Sequence, residues 1–171
     1  MIQLSILFFV LFAANAEAST WKLSSGSLEY TLKHMLHTVS GKSTEVKGIG
    51  KCDPKCSFLV AAPVKSFGSD NSNRDSNMQV YTKAAANPMV ELRTNIDPSA
   101  GTKNAEIEIK LAGKSHSYNV PISFTPESGG FLVHAIVPMN LSDFDIERPA
   151  LLGVACENAV PVTADLHIQS K

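Results

Sequence analysis

The sequence predicts an all-β chain of about eight antiparallel strands, with one short helix near residues 73–82. Three observations carry that expectation. Apolar and polar residues alternate with a period of two in stretch after stretch, as at Leu28-Glu29-Tyr30-Thr31-Leu32-Lys33-His34 and Glu106-Ile107-Glu108-Ile109-Lys110-Leu111, which is the pattern of strands with one wet face. Short clusters of Gly, Pro, Asn and Asp separate these stretches and supply turns. The segment over residues 64–78 alone breaks the rhythm, with small polar residues surrounding Arg74-Asp75. Strands at this spacing form a sandwich or a barrel, and closure into a barrel removes exposed edges. About eight strands enclose an interior that either fills with side chains or holds one small ligand.

The chain opens with an apolar run over residues 2–14 followed by Asn15-Ala16-Glu17-Ala18. This reads as a signal peptide cleaved after Ala16 or Ala18, because the run is shorter than the roughly 20 residues of a membrane span. The remaining residues, 19–171, are the usual size of one domain. No later segment is long and apolar enough to be a transmembrane helix. Fifteen basic and sixteen acidic residues are interleaved, so the basic stripe expected of a nucleic-acid partner is missing.

The first clear strand covers residues 27–34, with Leu28, Tyr30, Leu32 and His34 on its inward face. Residues 37–43 read as an irregular connection into a second strand at 44–51. Cys52-Asp-Pro-Lys-Cys56 then sets two cysteines across a tight proline turn. In an exported chain that spacing favours a Cys52–Cys56 disulfide over a metal or redox pair, which usually has Cys-x-x-Cys spacing. Cys156 is left over and reads as a buried thiol, with pairing to Cys52 or Cys56 as the open alternative. Residues 58–66, including Phe58 and Val60, are almost continuously apolar, so this strand is expected to be covered on both sides, with the helix as the cover. Asp70, Ser72 and Asn73 are candidate helix caps, and Met78 and Tyr81 share a helix face. Arg74-Asp75 reads as a solvated ion pair or as a clamp holding the helix to the barrel.

After Asn87-Pro88, Val90 and Leu92 alternate with charged residues. Ile107, Ile109 and Leu111 continue the inward set, as do Val120, Ile122 and Phe124, where Pro121 marks an edge or a bulge. Residues 131–139 form a strand whose periodicity is too blurred to assign an inner face. The turn at 142–149 drops Phe144 onto the core, and Asp143 and Asp145 beside it are placed to cap backbone amides. Val160, Val162, Ala164, Leu166 and Ile168 share a face of the last strand.

Nothing in this sequence assembles an enzyme. The histidines His34, His37, His116, His134 and His167 are scattered over different strands, and Gly-x-Ser-x-Gly elbows and phosphate loops are both missing. His34 reads as a polar group of a cavity or as a hydrogen-bonded core residue.

The residues do resemble the YceI-like polyisoprenoid-binding proteins, which are lipocalin-like. The resemblance rests on the Trp21 strand, Leu32-Lys33-His34, Val64-Lys65-Ser66-Phe67, Asn73-Arg74-Asp75 with Met78, Asn87-Pro88, the Ile107 strand with Gly113, Ser142-Asp143-Phe144 and Arg148-Pro149. It implies an extended eight-stranded antiparallel barrel exported to the bacterial periplasm or secreted. The apolar pore would take the tail of an isoprenoid lipid, a quinone or polyprenyl phosphate, for carriage or storage, without catalysis and without a cofactor beyond that ligand. On that resemblance the inward residues Tyr30, Leu32, His34, Phe58, Val60, Phe67, Met78, Val90, Leu92, Ile107, Ile109, Val120, Ile122, Phe124, Phe144 and Val162 line the cavity, and Arg74, Asp75 and Asn77 form its mouth. Many members carry a histidine two residues after that aspartate, where this chain has Asn77, and the Cys52/Cys56 pair lies outside the family pattern. The residues leave open a filled barrel acting as an interaction module, a redox or metal role for the three cysteines, and association as a homodimer.

Overall fold

A computed structural model describes residues 19–171; the proposed signal peptide lies outside the described residues. In chain order the elements are β1 (Ser19–His34), β2 (His37–Ser43), β3 (Lys47–Cys52), β4 (Cys56–Pro63), a 3₁₀ turn (Val64–Ser66) and the helix α1 (Ser72–Tyr81). There follow β5 (Met89–Asn95), β6 (Gly101–Leu111), β7 (Lys114–Glu127), β8 (Gly130–Asn140), a second 3₁₀ turn (Leu141–Phe144), a small hairpin of β9 (Ala150–Leu151) and β10 (Val154–Ala155), and β11 (Ala159–Ser170).

All the large strands pair antiparallel, and β11 returns to pair with β1, so the sheet closes on itself. The ring has eight positions because β2 and β3 share one flank of β1 in a single register, from His34↔His37 to Ser19↔Cys52. The irregularity expected at residues 37–43 falls instead at 44–46, between β2 and β3. Gly41 does not interrupt β2, because it sits opposite Tyr30 and the tyrosine ring occupies the space where a Cβ would stand. At the break, Ser43 is buried and its hydroxyl bonds Ser66 Oγ at 2.6 Å, while Ser66 Oγ donates to the Pro63 carbonyl at 2.6 Å. Above that point β4, whose ladder with β3 ends at Lys47↔Ala61, does not pair with β2, and Lys42 exchanges both backbone hydrogen bonds with Gly68, at 2.9 and 3.0 Å.

Both ends of the barrel are fixed by local chemistry. The lower end carries the β3–β4 hairpin, whose Cys52 and Cys56 are directly paired and disulfide-bonded. The upper end carries α1, the second 3₁₀ turn and the β9–β10 hairpin. The helix is capped by Asn71, which lies between the expected caps Asp70 and Ser72 and whose side chain accepts from the Arg74 amide at 3.0 Å. It packs on the turn at 64–66 and across the upper opening. It does not cover the outer face of β4, where Leu59 and Ala61 remain half-buried.

Two further expectations are refined by the tertiary arrangement. In β8, Ala135, Val137 and Met139 face inward while Ile136 is exposed. Pro121 lies where the β7–β8 ladder ends, since that ladder begins at Ile122, and beyond it β7 pairs only with β6. The second 3₁₀ turn occupies the gap. Its Phe144 is fully buried, and its Asp143 accepts from the Tyr118 hydroxyl at 2.7 Å and from the Asn140 side chain at 3.1 Å. Asp145 pairs with Lys114 at 2.8 Å. These two carboxylates therefore bridge side chains instead of capping backbone amides.

Candidate functional site

The inward side chains do not fill the barrel evenly. Its lower half is occupied by a packed core in which Trp21 and Phe131 have ring centroids 5.9 Å apart, and Phe124 meets Phe131 edge-on at 5.9 Å. Phe58 lies over Gly50, a position where any Cβ would collide with the ring. Large rings close the tube there. In the upper half the inward residues are mostly medium aliphatics, joined by Tyr30, His34 and Phe67, and they leave a cavity of about 330 Å³, within the range of small-molecule sites.

Its wall is built strand by strand. β1 contributes Leu28, Tyr30, Leu32 and His34, β2 His37 and Val39, β5 Val90 and Leu92, and β6 Ile109 and Leu111. Met139 of β8 and Val160 and Val162 of β11 complete the ring. Val64 and Phe67 enter from the segment that bridges β2, and Phe67 stacks near Tyr30 with centroids 6.1 Å apart. The roof is the face of α1 that carries Arg74, Asn77, Met78 and Tyr81, with Thr82 after it. These positions are three or four residues apart, as one helical face requires. Leu141, Ile146, Pro149, Ala150, Leu151 and Cys156 close the remaining side. His37, Asn77, Ala150 and Leu151 touch both the cavity and solvent, and so mark its mouth.

The polar groups at the wall are few and mostly engaged. The Leu36 amide donates to His34 Nδ1 at 3.2 Å, so Nε2 carries the hydrogen and donates to the Val154 carbonyl at 3.0 Å. His34 is thus a buried, satisfied histidine that ties β1 to the β9–β10 hairpin. Its ring lies 5.6 Å from that of His37, its direct partner across the strand pair. Among the described residues, no group of three or more potential ligands could hold a metal.

Arg74 does not pair with Asp75. Its Nη1 donates to Asp70 Oδ1 at 2.8 Å, and its side chain is about one-third exposed. Asp75 turns away and accepts from both the amide and the hydroxyl of Ser69, at 3.0 and 2.6 Å. Among the described residues, Arg74 is the one Lys, Arg, Asp or Glu side chain at the cavity wall. Burial raises the Tyr30 hydroxyl above its ordinary pKa, with Asp75 adding to the shift and Arg74 opposing it. Burial likewise raises the Cys156 thiol, with Arg148 opposing. The site is a greasy chamber with one guanidinium, one carboxamide and the His37 imidazole at its rim.

Of the residues assigned to the cavity from sequence, Tyr30, Leu32, His34, Phe67, Met78, Val90, Leu92, Ile109 and Val162 lie on its wall, as do Arg74 and Asn77. Phe58, Val60, Ile107, Val120, Ile122, Phe124 and Phe144 share the inward face or the core but do not reach the cavity. Strand parity reports the face of a residue and not its height in the barrel. Asp75 is a loop clamp and not part of the mouth. Val39 was hidden because its inward neighbours in β2 are Gly41 and Ser43. The wall residues from 141 to 156 carry no period to read.

A family model described as a YceI-like domain matches residues 16–168. Among solved structures, BcnA of Burkholderia cenocepacia superposes with a TM-score of 0.71 at 16% identity, covering 84% of this chain and 95% of that one. A polyisoprenoid binding domain from Saccharophagus degradans, implicated in plant cell wall breakdown, gives a TM-score of 0.71 at 11% identity over 88% and 98%. The YCEI protein of Campylobacter jejuni gives 0.56 at 17% identity over 78% and 88%. Among curated proteins, none matches in sequence.

Proposed function

The chain belongs to the YceI-like domain family, and on that premise we propose that it binds one isoprenoid lipid, a quinone or a polyprenyl phosphate, as an exported carrier or storage protein. The tail lies among the aliphatic side chains of the upper half-barrel, and the head stands at the mouth beside Arg74 and Asn77. The cavity supports this reading most directly: an apolar chamber of about 330 Å³ removes hydrocarbon from water at about 25 cal/mol per Å² without any strong polar contact. The single guanidinium at the wall suits a head that accepts hydrogen bonds, such as a quinone carbonyl or a phosphate oxygen. The apolar run before residue 19 and the disulfide fit an oxidising compartment, and cleavage after Ala16 or Ala18 is part of the proposal.

The test is organic extraction of protein purified from its native host, followed by mass spectrometry. Prenyl lipid in stoichiometric amount is expected. Recovery of no prenyl species, together with no uptake of added prenyl quinone, would end the proposal.

A further inference from the structure

We propose that the two neighbouring hairpin tips beside the cavity mouth, Met35-Leu36 and Leu151-Leu152, form an apolar docking surface that seats the barrel on a lipid membrane. The inference rests on the reading that the cavity takes a lipid tail. Met35 is 76% exposed, Leu36 62%, Leu151 43%, Leu152 87% and Val154 41%. The first tip joins β1 to β2 and the second joins β9 to β10. The two are fastened together by the His34 Nε2 bond to the Val154 carbonyl, at 3.0 Å, and by the Glu157 amide, which donates to the Lys33 carbonyl at 2.8 Å. They therefore stand side by side at one end of the barrel.

Leu152 is the most telling residue. Its φ of 52°, followed by Gly153 at 80°, places it in the left-handed region within a two-residue turn. Asn, Asp or Gly adopts that conformation readily, whereas leucine resists it. Packing gives no reason for leucine either, because the side chain is almost wholly in water. Neither the backbone nor the core accounts for this residue, and a backbone outlier of this kind points to use at a surface.

The occupant follows from continuity with the cavity. Leu151 belongs both to the exposed tip and to the cavity wall, and Ala150 and Pro149 carry the wall inward from it. A hydrocarbon tail leaving the acyl layer of a membrane would meet apolar side chains along that route. A protein covering the same tips would close the mouth instead. The nearby charges, Lys33 and Arg148 against Glu147 and Glu157, have both signs, so the attraction is apolar and a zwitterionic bilayer suffices.

The test uses the full chain carrying Leu36→Trp and vesicles of phosphatidylcholine brominated on its acyl chains. Emission from position 36 is expected to shift to the blue and to be quenched by the bromolipid, equally at low and high salt. The wild-type indole, Trp21 at the far end of the barrel, is expected to stay unquenched. In Leu36→Ser/Leu152→Asn, neither of which touches the cavity, vesicle affinity falls at least tenfold. Uptake of a dansyl-tagged farnesyl probe from detergent micelles is unchanged, and the melting temperature is not lowered, since Asn suits the turn. Emission from position 36 that ignores vesicles overturns the proposal. So does emission that shifts with protein concentration alone, which would assign the tips to a second copy of the chain. Quenching at position 36 without farnesyl uptake keeps the docking surface and removes the cargo, so the two failures are distinguishable.

Discussion

At the scale of single residues, the cavity wall offers its own reporters. Cys156 is free, buried and part of that wall, and burial holds its thiol above the ordinary range. Only the thiolate attacks, so aromatic disulfide reagents at pH 8 are expected to label it far more slowly in the folded protein than after denaturation, and more slowly still when a prenyl ligand is bound. Labelling at the unfolded rate would place the thiol elsewhere. Tyr30 is held over Gly41 by the space the glycine leaves, so Gly41→Ala must drive the ring into the cavity. That variant is expected to lose about 1–3 kcal/mol in denaturant melts through overpacking and to bind prenyl ligand at least tenfold more weakly in fluorescence titration. Asp143 is held below its ordinary value of 3.8, chiefly by the Tyr118 hydroxyl and further by Asn140 and His116. A carboxyl depressed by folding contributes stability above its unfolded pKa and loses it as pH falls through the folded value. Asp143→Asn keeps an acceptor for Tyr118 but not the charge. Its melting temperature is expected to fall below wild type at neutral pH and to converge with it below pH 4, which a pH series of thermal melts would check.

Elements differ in how far they depend on their neighbours. The Cys52–Cys56 hairpin is local: it closes a very short loop at the end away from the mouth. In the chain-entropy account a link closing so few residues contributes about 2 kcal/mol. Cys52→Ser/Cys56→Ser is therefore expected to unfold at lower denaturant concentration with prenyl affinity unchanged. Loss of ligand binding in a folded double variant would show that the two ends are coupled. The helix was equally legible, because small polar residues around Asn71 and the Met78/Tyr81 spacing specify a capped helix with one apolar face. Its place across the opening was legible through the family resemblance, which set Arg74 and Asn77 at the mouth and Met78 on the wall, while the apolar run of β4 suggested a second contact that the helix does not make. β2 was misread because Gly41 and Ser43, both inward, lack the apolar side chains by which an inner face is recognised.

For the whole molecule, the decisive feature is that only half of the tube is open. Leu28 to His34 spans about 20 Å of strand at about 3.3 Å per residue, or about 15 Å along an axis to which strands tilt by about 40°. Below that depth the rings of Phe58, Phe124, Phe131 and Trp21 stop the tube. Affinity across a series of prenyl quinones is expected to rise with tail length and level off after a few isoprene units, the longer tails leaving their ends outside. Calorimetric titration of the series tests this, and an affinity still climbing at the longest tails would require the lower core to open.

The residues alone specified antiparallel strands with one greasy face, in a sandwich or a barrel, and favoured a local disulfide, because alternation, proline turns and cysteine spacing are short-range properties written directly in neighbouring positions. They could not say that this face is packed solid at one end and hollow at the other, that Arg74 reaches the cavity while Asp75 holds a loop, or that two hairpin tips meet at the mouth. Those outcomes depend on which rings from distant strands arrive at the same height in the barrel, and on hydrogen bonds such as His34 to Val154 that join segments 120 positions apart, so only the assembled tertiary structure decides them.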